Sequence, residues 1–103
     1  MHSGLDKDGR LSLTGALTIG TVSKLFDDYT PLLDENAGPA AIDLSGAERI
    51  DSAGLALLLE WQARASERGQ SLALQNPPAD LLKLAALCEA SDLLGLTQEE
   101  TGK

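Results

Sequence analysis

The chain contains few of the side chains on which enzyme chemistry depends. His2 is the only histidine, and it lies one residue from the start of the sequence. A Ser-His-Asp or Cys-His nucleophile therefore lacks a well-placed general base. Cys88 is the only cysteine, so no internal disulfide forms, and two residues fall short of the four ligands of a zinc site. We expect neither a bound metal nor a histidine-based or cysteine-based catalytic site.

Other recognisable sites are also missing from the sequence. The ten glycines occur singly and form no GxGxxG or GxxxxGK[ST] phosphate-binding loop. The single Phe, Tyr and Trp are too few for a base-stacking platform, and the 16 acidic residues include no pair whose spacing places it in a cleft. The sequence thus predicts a binding or regulatory module that is not an enzyme and takes no cofactor.

Asp51 and Ser52 are the polar residues with the clearest structural context, because they follow an apolar run and open a predicted helix. A helix N-terminus has unpaired N–H groups and a positive dipole end, which Asp51 can cap. Ser52 then lies near the surface at the carboxyl end of a strand, where open α/β sheets place their sites. Two interpretations stay open: the pair only caps the helix, or it belongs to a site. Gly54 lowers helix stability, which indicates that a strand or a partner approaches the first turn closely.

The helix that begins at Asp51 or Ser52 is predicted to extend to Arg68 and has a wide apolar surface. At 100° per residue, its apolar side chains cover an arc of ~200°, more than a helix resting on a core needs. Neighbouring helices cover the surplus, or part of it contacts another protein. In the second case Leu57 and Trp61, the only tryptophan, are the best anchors.

Hydrophobic periodicity predicts seven elements in the order β-β-α-β-α-β-α. The expected strands span residues 5–7, 10–14, 40–44 and 71–75, and the expected helices span 18–33, 51–68 and a segment from an Asn76 cap to about residue 88. We expect Gly15 to end the second strand, Pro31 to kink or end the first helix, and residues 93–96 to form a last short element. The strand–helix–strand unit of residues 40–75 requires a right-handed crossover and parallel strands. The fold class is α/β, with a small mixed sheet of about four to five strands and helices mainly on one face.

Length and charge limit the classes of partner. A chain of 103 residues is expected to form one domain over residues 1–103, with an ordered core at about 5–96. The net charge of −8 argues against nucleic acid or an anionic bilayer as the direct partner. The longest apolar run, Ala53–Leu59, is far shorter than a membrane span, and the first residues have no apolar signal region. We expect a cytoplasmic protein without direct membrane insertion.

The element order and the segment D-L-S-G-A-E-R-I-D-S-A-G-L at Asp43–Leu55 resemble the STAS domain family, over about residues 5–96. This family includes anti-sigma-factor antagonists and the tails of sulfate transporters. Within it, residues 15–18, residues 51–61 and the leucine-rich last helix are most similar to the MlaB subgroup, the small STAS subunits of ABC transporters that move phospholipid between the membranes of Gram-negative bacteria.

The resemblance implies a non-catalytic STAS fold that binds the ATPase subunit of such a transporter and supports its assembly or activity. The surface that the family uses lies around the strand–helix loop and the start of the next helix. The matching positions are Ser45, Gly46, Arg49, Asp51, Ser52, Ala53 and Gly54, to which Leu57 and Trp61 are added from the helix surface.

The alternative is an anti-sigma-factor antagonist, because Ser52 occupies the place of the Ser or Thr that is phosphorylated in those proteins. A phosphate there adds about −1.5 to −2 charges, which the helix dipole favours and Asp51 opposes. The sequence leaves open which partner is bound, whether Ser52 is modified, and whether the chain forms a homodimer.

Overall fold

A computed structural model describes residues 10–33, 41–70, 72–90 and 93–94, together with the backbone of residues 4–5. The elements are β1 (Gly4–Leu5), β2 (Leu11–Leu17), α1 (Val22–Leu33), β3 (Ala41–Ile50), α2 (Ser52–Glu67), β4 (Ala73–Gln75) and α3 (Ala79–Leu87). The predicted order β-β-α-β-α-β-α is therefore confirmed. Residues 6–7 of the first predicted strand, residues 8–9 between the first two predicted strands, and residues 95–96 of the predicted last element lie outside the described part of the chain.

The described strands form one mixed sheet with the order β1-β2-β3-β4. β1 pairs antiparallel with β2, whereas β2–β3 and β3–β4 are parallel. The predicted parallel pairing across the α2 crossover is confirmed. A fifth strand is not found within the described residues.

The two faces of the sheet differ in polarity. Leu11, Ile42 and Leu74 are aligned across β2, β3 and β4, and Leu11 and Ile42 are fully buried. The next aligned row is Ser12, Asp43 and Gln75, which is polar and only partly buried. α2 contacts β2 and β3, and α3 contacts β3. The apolar face thus forms the core beneath the helices, which accounts for the alternation of buried and partly buried residues at the start of β2 and of β3.

β2 and β3 both extend beyond their predicted ends. β2 passes through Gly15, which has a φ of +82°, and continues to Leu17. β3 continues from the predicted end at Leu44 to Ile50, where it pairs with Leu17. Pairing between the two strands continues along both extensions. The register shifts between Ser12 and Thr14 and between Gly15 and Ala16, as it does at a β-bulge. The prediction of a loop at residues 45–50 is therefore wrong.

α2 begins at Ser52, as the sequence predicted, whereas α1 begins later than predicted. α1 begins at Val22 because Thr21 Oγ1 donates to the carbonyl of Ala16, 2.8 Å away, and accepts from the amide of Thr18 at 3.0 Å, which holds a turn before the helix. Pro31 lies inside α1, and the helix ends two residues later at Leu33.

The predicted Asn76 cap of α3 is wrong. Pro78 occupies the N-cap position of α3 and makes no side-chain capping bond. Asn76 has a φ of +55°, and its side-chain amide donates to Asp43 Oδ1 at 2.9 Å. Asn is one of the few residue types that readily adopt this left-handed conformation, so the residue serves the turn after β4 and not the helix.

Candidate functional site

Asp51 joins the start of α2 to the turn that follows β2. Its Oδ1 accepts hydrogen bonds from the amides of Ala53 at 2.9 Å and Gly54 at 3.1 Å, which makes it the N-cap. Its Oδ2 accepts from the amide of Ile19 at 3.0 Å. The Ile19 amide, followed by those of Gly54 and Ala53, holds the pKa of the Asp51 carboxyl below its usual value, so the group is ionised at neutral pH.

The first turn of α2 lies directly against the end of β2. The amide of Asp51 donates to the carbonyl of Leu17 at 3.2 Å. A Cβ atom added to Gly54 would lie 2.2 Å from the same carbonyl oxygen, which is far inside van der Waals contact. The close approach inferred from Gly54 is thus made by a strand of the same chain. Gly54 is buried and does not itself offer a contact to a partner.

Two exposed side chains flank this fixed backbone. Ser52 is exposed as the first residue of α2. Ile19 is 78% exposed in the turn between β2 and α1, and its own amide is the one bound by Asp51. A polar hydroxyl and an aliphatic side chain therefore stand next to Asp51 at the carboxyl edge of the parallel strands.

A shallow groove of about 440 Å³ continues from this edge between α1 and α2. Its lining consists of Val22, Ser23, Phe26, Ala53, Ala56, Leu57 and Glu60. At its far end the Arg64 guanidinium lies 5.3 Å from the centre of the Phe26 ring, and Arg64 Nε is 2.9 Å from Glu60 Oε2. The groove is mostly apolar with a charged end.

Three of the site residues inferred from the resemblance lie on β3. Ser45 and Arg49 are exposed and Gly46 is partly buried on this strand, where Gly46 is paired with Thr14 and Arg49 with Ala16. Ser45 Oγ donates to Asp43 Oδ2 at 3.2 Å. A strand rises about 3.3 Å per residue, so Ser45 and Gly46 lie well away from the start of α2, and only Arg49 is near it. Ser45, Gly46 and Arg49 therefore lie on β3 and not in the loop before α2 that the resemblance implied.

Trp61 and Leu57 are buried, with 1% and 5% of their surfaces exposed. Trp61 Nε1 donates to Thr30 Oγ1 on α1 at 2.9 Å, and this bond satisfies both buried polar groups. Of the two interpretations that the sequence left open, the one with Leu57 and Trp61 as exposed anchors is therefore wrong, since α1 covers this side of α2. The interpretation that neighbouring helices cover the surplus apolar arc holds for both residues.

Ile19 is one of three large apolar residues exposed in the described part of the chain, with Leu87 and Leu93, and the only one of the three that adjoins Asp51. Its exposure was not predicted, because the predicted first helix included it. Its position between Thr18 and Gly20 could have indicated a turn, because both residue types favour turns. A side chain between two such residues has little to pack against.

A second polar cluster lies on the polar face of the sheet, opposite the apolar face that the helices cover. Asp43 Oδ1 accepts from the Asn76 side chain at 2.9 Å and from the Ser45 amide at 3.0 Å. These bonds, with the Asn76 bond the stronger influence, hold the pKa of Asp43 below its usual value. Arg10 Nη1 donates to Gln75 Oε1 at 2.9 Å on the same face. The cluster joins β3 to the turn after β4, and β4 to Arg10, the residue before β2.

Three or more metal-ligating side chains do not come together anywhere in the described part of the chain. No helix formed by the described residues has both the length and the hydropathy to cross a membrane.

The architecture defines an α/β protein of the STAS class, and comparisons with known proteins agree. The solved structure of the anti-sigma factor antagonist SpoIIAA in its unphosphorylated form is similar, with a TM-score of 0.63 and 17% identity over 84% of this chain and 81% of that one. A sulfate transporter family protein from Wolinella succinogenes has a TM-score of 0.65 and 18% identity over 93% of this chain and 77% of that one. These likenesses show the fold.

The sequence itself places the chain within the class. Residues 2–96 match the family model described as "Mlab, STAS domain", and the chain belongs to that family. No curated protein matches the chain significantly in sequence.

Proposed function

We propose that this chain is a non-catalytic cytoplasmic subunit that binds the ATPase of a phospholipid ABC transporter and supports its assembly or activity, and thereby outer-membrane lipid asymmetry. Membership of the Mlab family of STAS domains supports a partner in a transporter. The structural observation that carries the proposal is the exposed Ser52 at the start of α2, on a backbone that Asp51 fixes from two sides.

We define the docking surface as Ile19, Arg49, Ser52 and Ala53, with Asp51 and Gly54 as the residues that position it. A backbone already held in its bound shape loses little conformational entropy on association, which favours binding. Leu57 and Trp61 support the surface from the core. Ser45 and Gly46, farther along β3, are not included.

The location follows from the partner. Bound to an ATPase, the chain would lie at the inner face of the inner membrane without entering the bilayer, and its net charge of −8 fits a protein partner with a basic surface. Nucleic acid is not expected as a partner on the same ground. A homodimer remains compatible with the proposal.

Co-purification with the ATPase subunit of the same organism tests the proposal. We expect the tagged chain to recover the ATPase, and Ser52→Glu to weaken recovery, because it replaces a small hydroxyl in the docking surface with a larger carboxylate beside the ionised Asp51. Ser66→Glu is the matched control, because Ser66 is an exposed serine near the other end of α2. A charge at Leu57 is unsuitable, since that side chain is buried and the variant would lose stability. Failure of the unmodified chain to recover any ATPase subunit would contradict the proposal.

The exposed Ser52 hydroxyl also favours a second candidate, an anti-sigma-factor antagonist in which Ser52 is phosphorylated. The α2 dipole favours a phosphate at this position. Intact mass measurement of the chain from its native cell tests this function. A species heavier by one phosphoryl group supports it, whereas a single unmodified mass under all growth conditions counts against it.

A further inference from the structure

Ile19 presents an apolar side chain to solvent on a fixed backbone. It is 78% exposed, although an aliphatic side chain gains free energy from burial. Its amide is bound by Asp51 Oδ2 at 3.0 Å, and the adjacent Thr18 amide is bound by Thr21 Oγ1 at 3.0 Å. These two hydrogen bonds fix the backbone of the turn, so the Ile19 side chain is exposed in one defined turn conformation. An exposed, preorganised aliphatic side chain is the kind of residue that inserts into a partner.

The groove between α1 and α2 begins at Val22 and Ala53, close in sequence to this turn and to Asp51. Its α2 wall is formed at positions 53, 56, 57 and 60, and its α1 wall at positions 22, 23 and 26. The α2 positions have the i, i+3, i+4, i+7 spacing of one helix face and span about 10 Å. The groove is lined by small residues at Ser23, Ala53 and Ala56. Another helix can therefore approach closely and pack a row of its side chains between α1 and α2.

An extended peptide fits this place less well. β2 lies between β1 and β3, and β3 lies between β2 and β4, so neither strand next to the groove offers a free edge for pairing. A helix, which satisfies its own backbone hydrogen bonds, therefore suits the groove better than an extended peptide. The acidic chain, with a net charge of −8, favours an occupant that carries Lys or Arg.

We infer that Ile19 and the α1–α2 groove form one continuous site for an amphipathic helix of the ATPase subunit, with the apolar face of that helix on Ile19, Val22, Phe26 and Ala56 and basic residues along its flank. The inference rests on the proposed function. It assigns the role of apolar anchor, which the sequence suggested for Trp61, to Ile19.

Binding of the purified ATPase subunit to neutral variants tests the inference, because neutral substitutions leave the net charge unchanged. Ile19→Ser removes the anchor, and Ala56→Gln fills the groove while retaining a good helix former. We expect each to raise the Kd about tenfold or more, the usual effect of losing an interface anchor. Ile19→Leu restores an aliphatic side chain and is expected to keep the Kd within about threefold.

Ala63→Gln is the matched control for Ala56→Gln, because Ala63 is an exposed alanine of the same helix that lines a different groove. Its Kd is expected to match that of the unmodified chain. The thermal unfolding temperature of every variant is measured to separate effects on folding from effects on binding. We expect little change in that temperature, since Ile19, Ala56 and Ala63 are all exposed.

Each outcome decides between the two proposals. If Ile19→Ser or Ala56→Gln binds like the unmodified chain while Ser52→Glu does not, the helix site is overturned and the proposed function stands. If the unmodified chain does not bind the ATPase subunit, both are overturned. If Ile19→Ser dissociates a homodimer in sedimentation but leaves ATPase binding unchanged, the occupant is a second copy and the inference is overturned.

Discussion

At the scale of single residues, Asp51 has two structural tasks. One carboxylate oxygen caps α2 through Ala53 and Gly54, and the other holds the Ile19 amide of the preceding connection. The cap is local in sequence and was predictable from the Asp-Ser start. The bond to Ile19 joins residues 32 positions apart, and no local pattern reports such a contact.

The ionised Asp51 carboxylate should make the stability of the fold depend on pH. Its pKa is lowered in the folded protein, so its contribution is complete above the unfolded pKa of about 3.9 and is lost as the pH falls through the folded value. Asp51→Asn should therefore lower the free energy of unfolding at neutral pH, and the difference from the unmodified chain should shrink below about pH 4. Urea denaturation at a series of pH values measures this.

Asp27→Asn serves as the control for Asp51→Asn, because Asp27 is an exposed carboxyl on α1. It should leave the stability nearly unchanged at neutral pH. A stability difference between Asp51→Asn and the unmodified chain that stays constant from neutral to acid pH would contradict the role of the charge.

At the scale of elements, the boundaries were harder to predict than the elements themselves. The run Ser45–Arg49 has no apolar alternation, so the sequence analysis ended β3 at Leu44 and placed a loop there. Pairing of Gly46, Ala47, Arg49 and Ile50 with β2 keeps this segment extended. Hydrophobic periodicity cannot predict the end of a strand when a neighbouring strand, and not the side-chain pattern, keeps that end extended.

Gln62 shows how one side chain joins two elements. Its Oε1 accepts from the Leu72 amide at 2.7 Å and its Nε2 donates to the Leu72 carbonyl at 2.8 Å, so the amide of α2 pairs with the backbone leading into β4. Leu72 is buried. Gln62→Leu should leave two buried backbone groups without partners and cost about 1–3 kcal/mol of unfolding free energy.

Chemical denaturation of Gln62→Leu compared with Gln70→Leu checks this prediction. Gln70 is exposed just after α2, so the same substitution there should change the unfolding free energy by less than about 0.5 kcal/mol. Equal effects of the two substitutions would show that the paired amide does not hold β4 to α2.

At the scale of the whole molecule, the topology was the most predictable property. The seven elements, the parallel β3–β4 pairing and the α/β class follow from hydrophobic periodicity and from the handedness of crossovers. The sequence left cover of Trp61 as one of two alternatives and could not choose between them, because the cover depends on α1 packing along α2 and placing Thr30 against the indole. Tertiary packing therefore decided which apolar side chains of α2 are covered.

The net charge of −8 predicts how the chain should meet the partner proposed above. Association with a basic surface of the ATPase subunit should slow by about tenfold or more between low and high salt, because screening removes long-range attraction, while dissociation should change less. Stopped-flow or surface-based kinetics at several salt concentrations measure both rates. An association rate that is independent of salt would contradict a basic docking site.

The contact between Gly54 and the Leu17 carbonyl has a consequence for how new specificities arise. The separation of the β2 end from the first turn of α2 is set by main-chain atoms alone. Substitutions at the outward-facing positions 19, 52 and 56 thus change what is recognised without moving the scaffold beneath them. A library randomised at those three positions, with Asp51 and Gly54 retained, should yield folded variants that select different binding proteins.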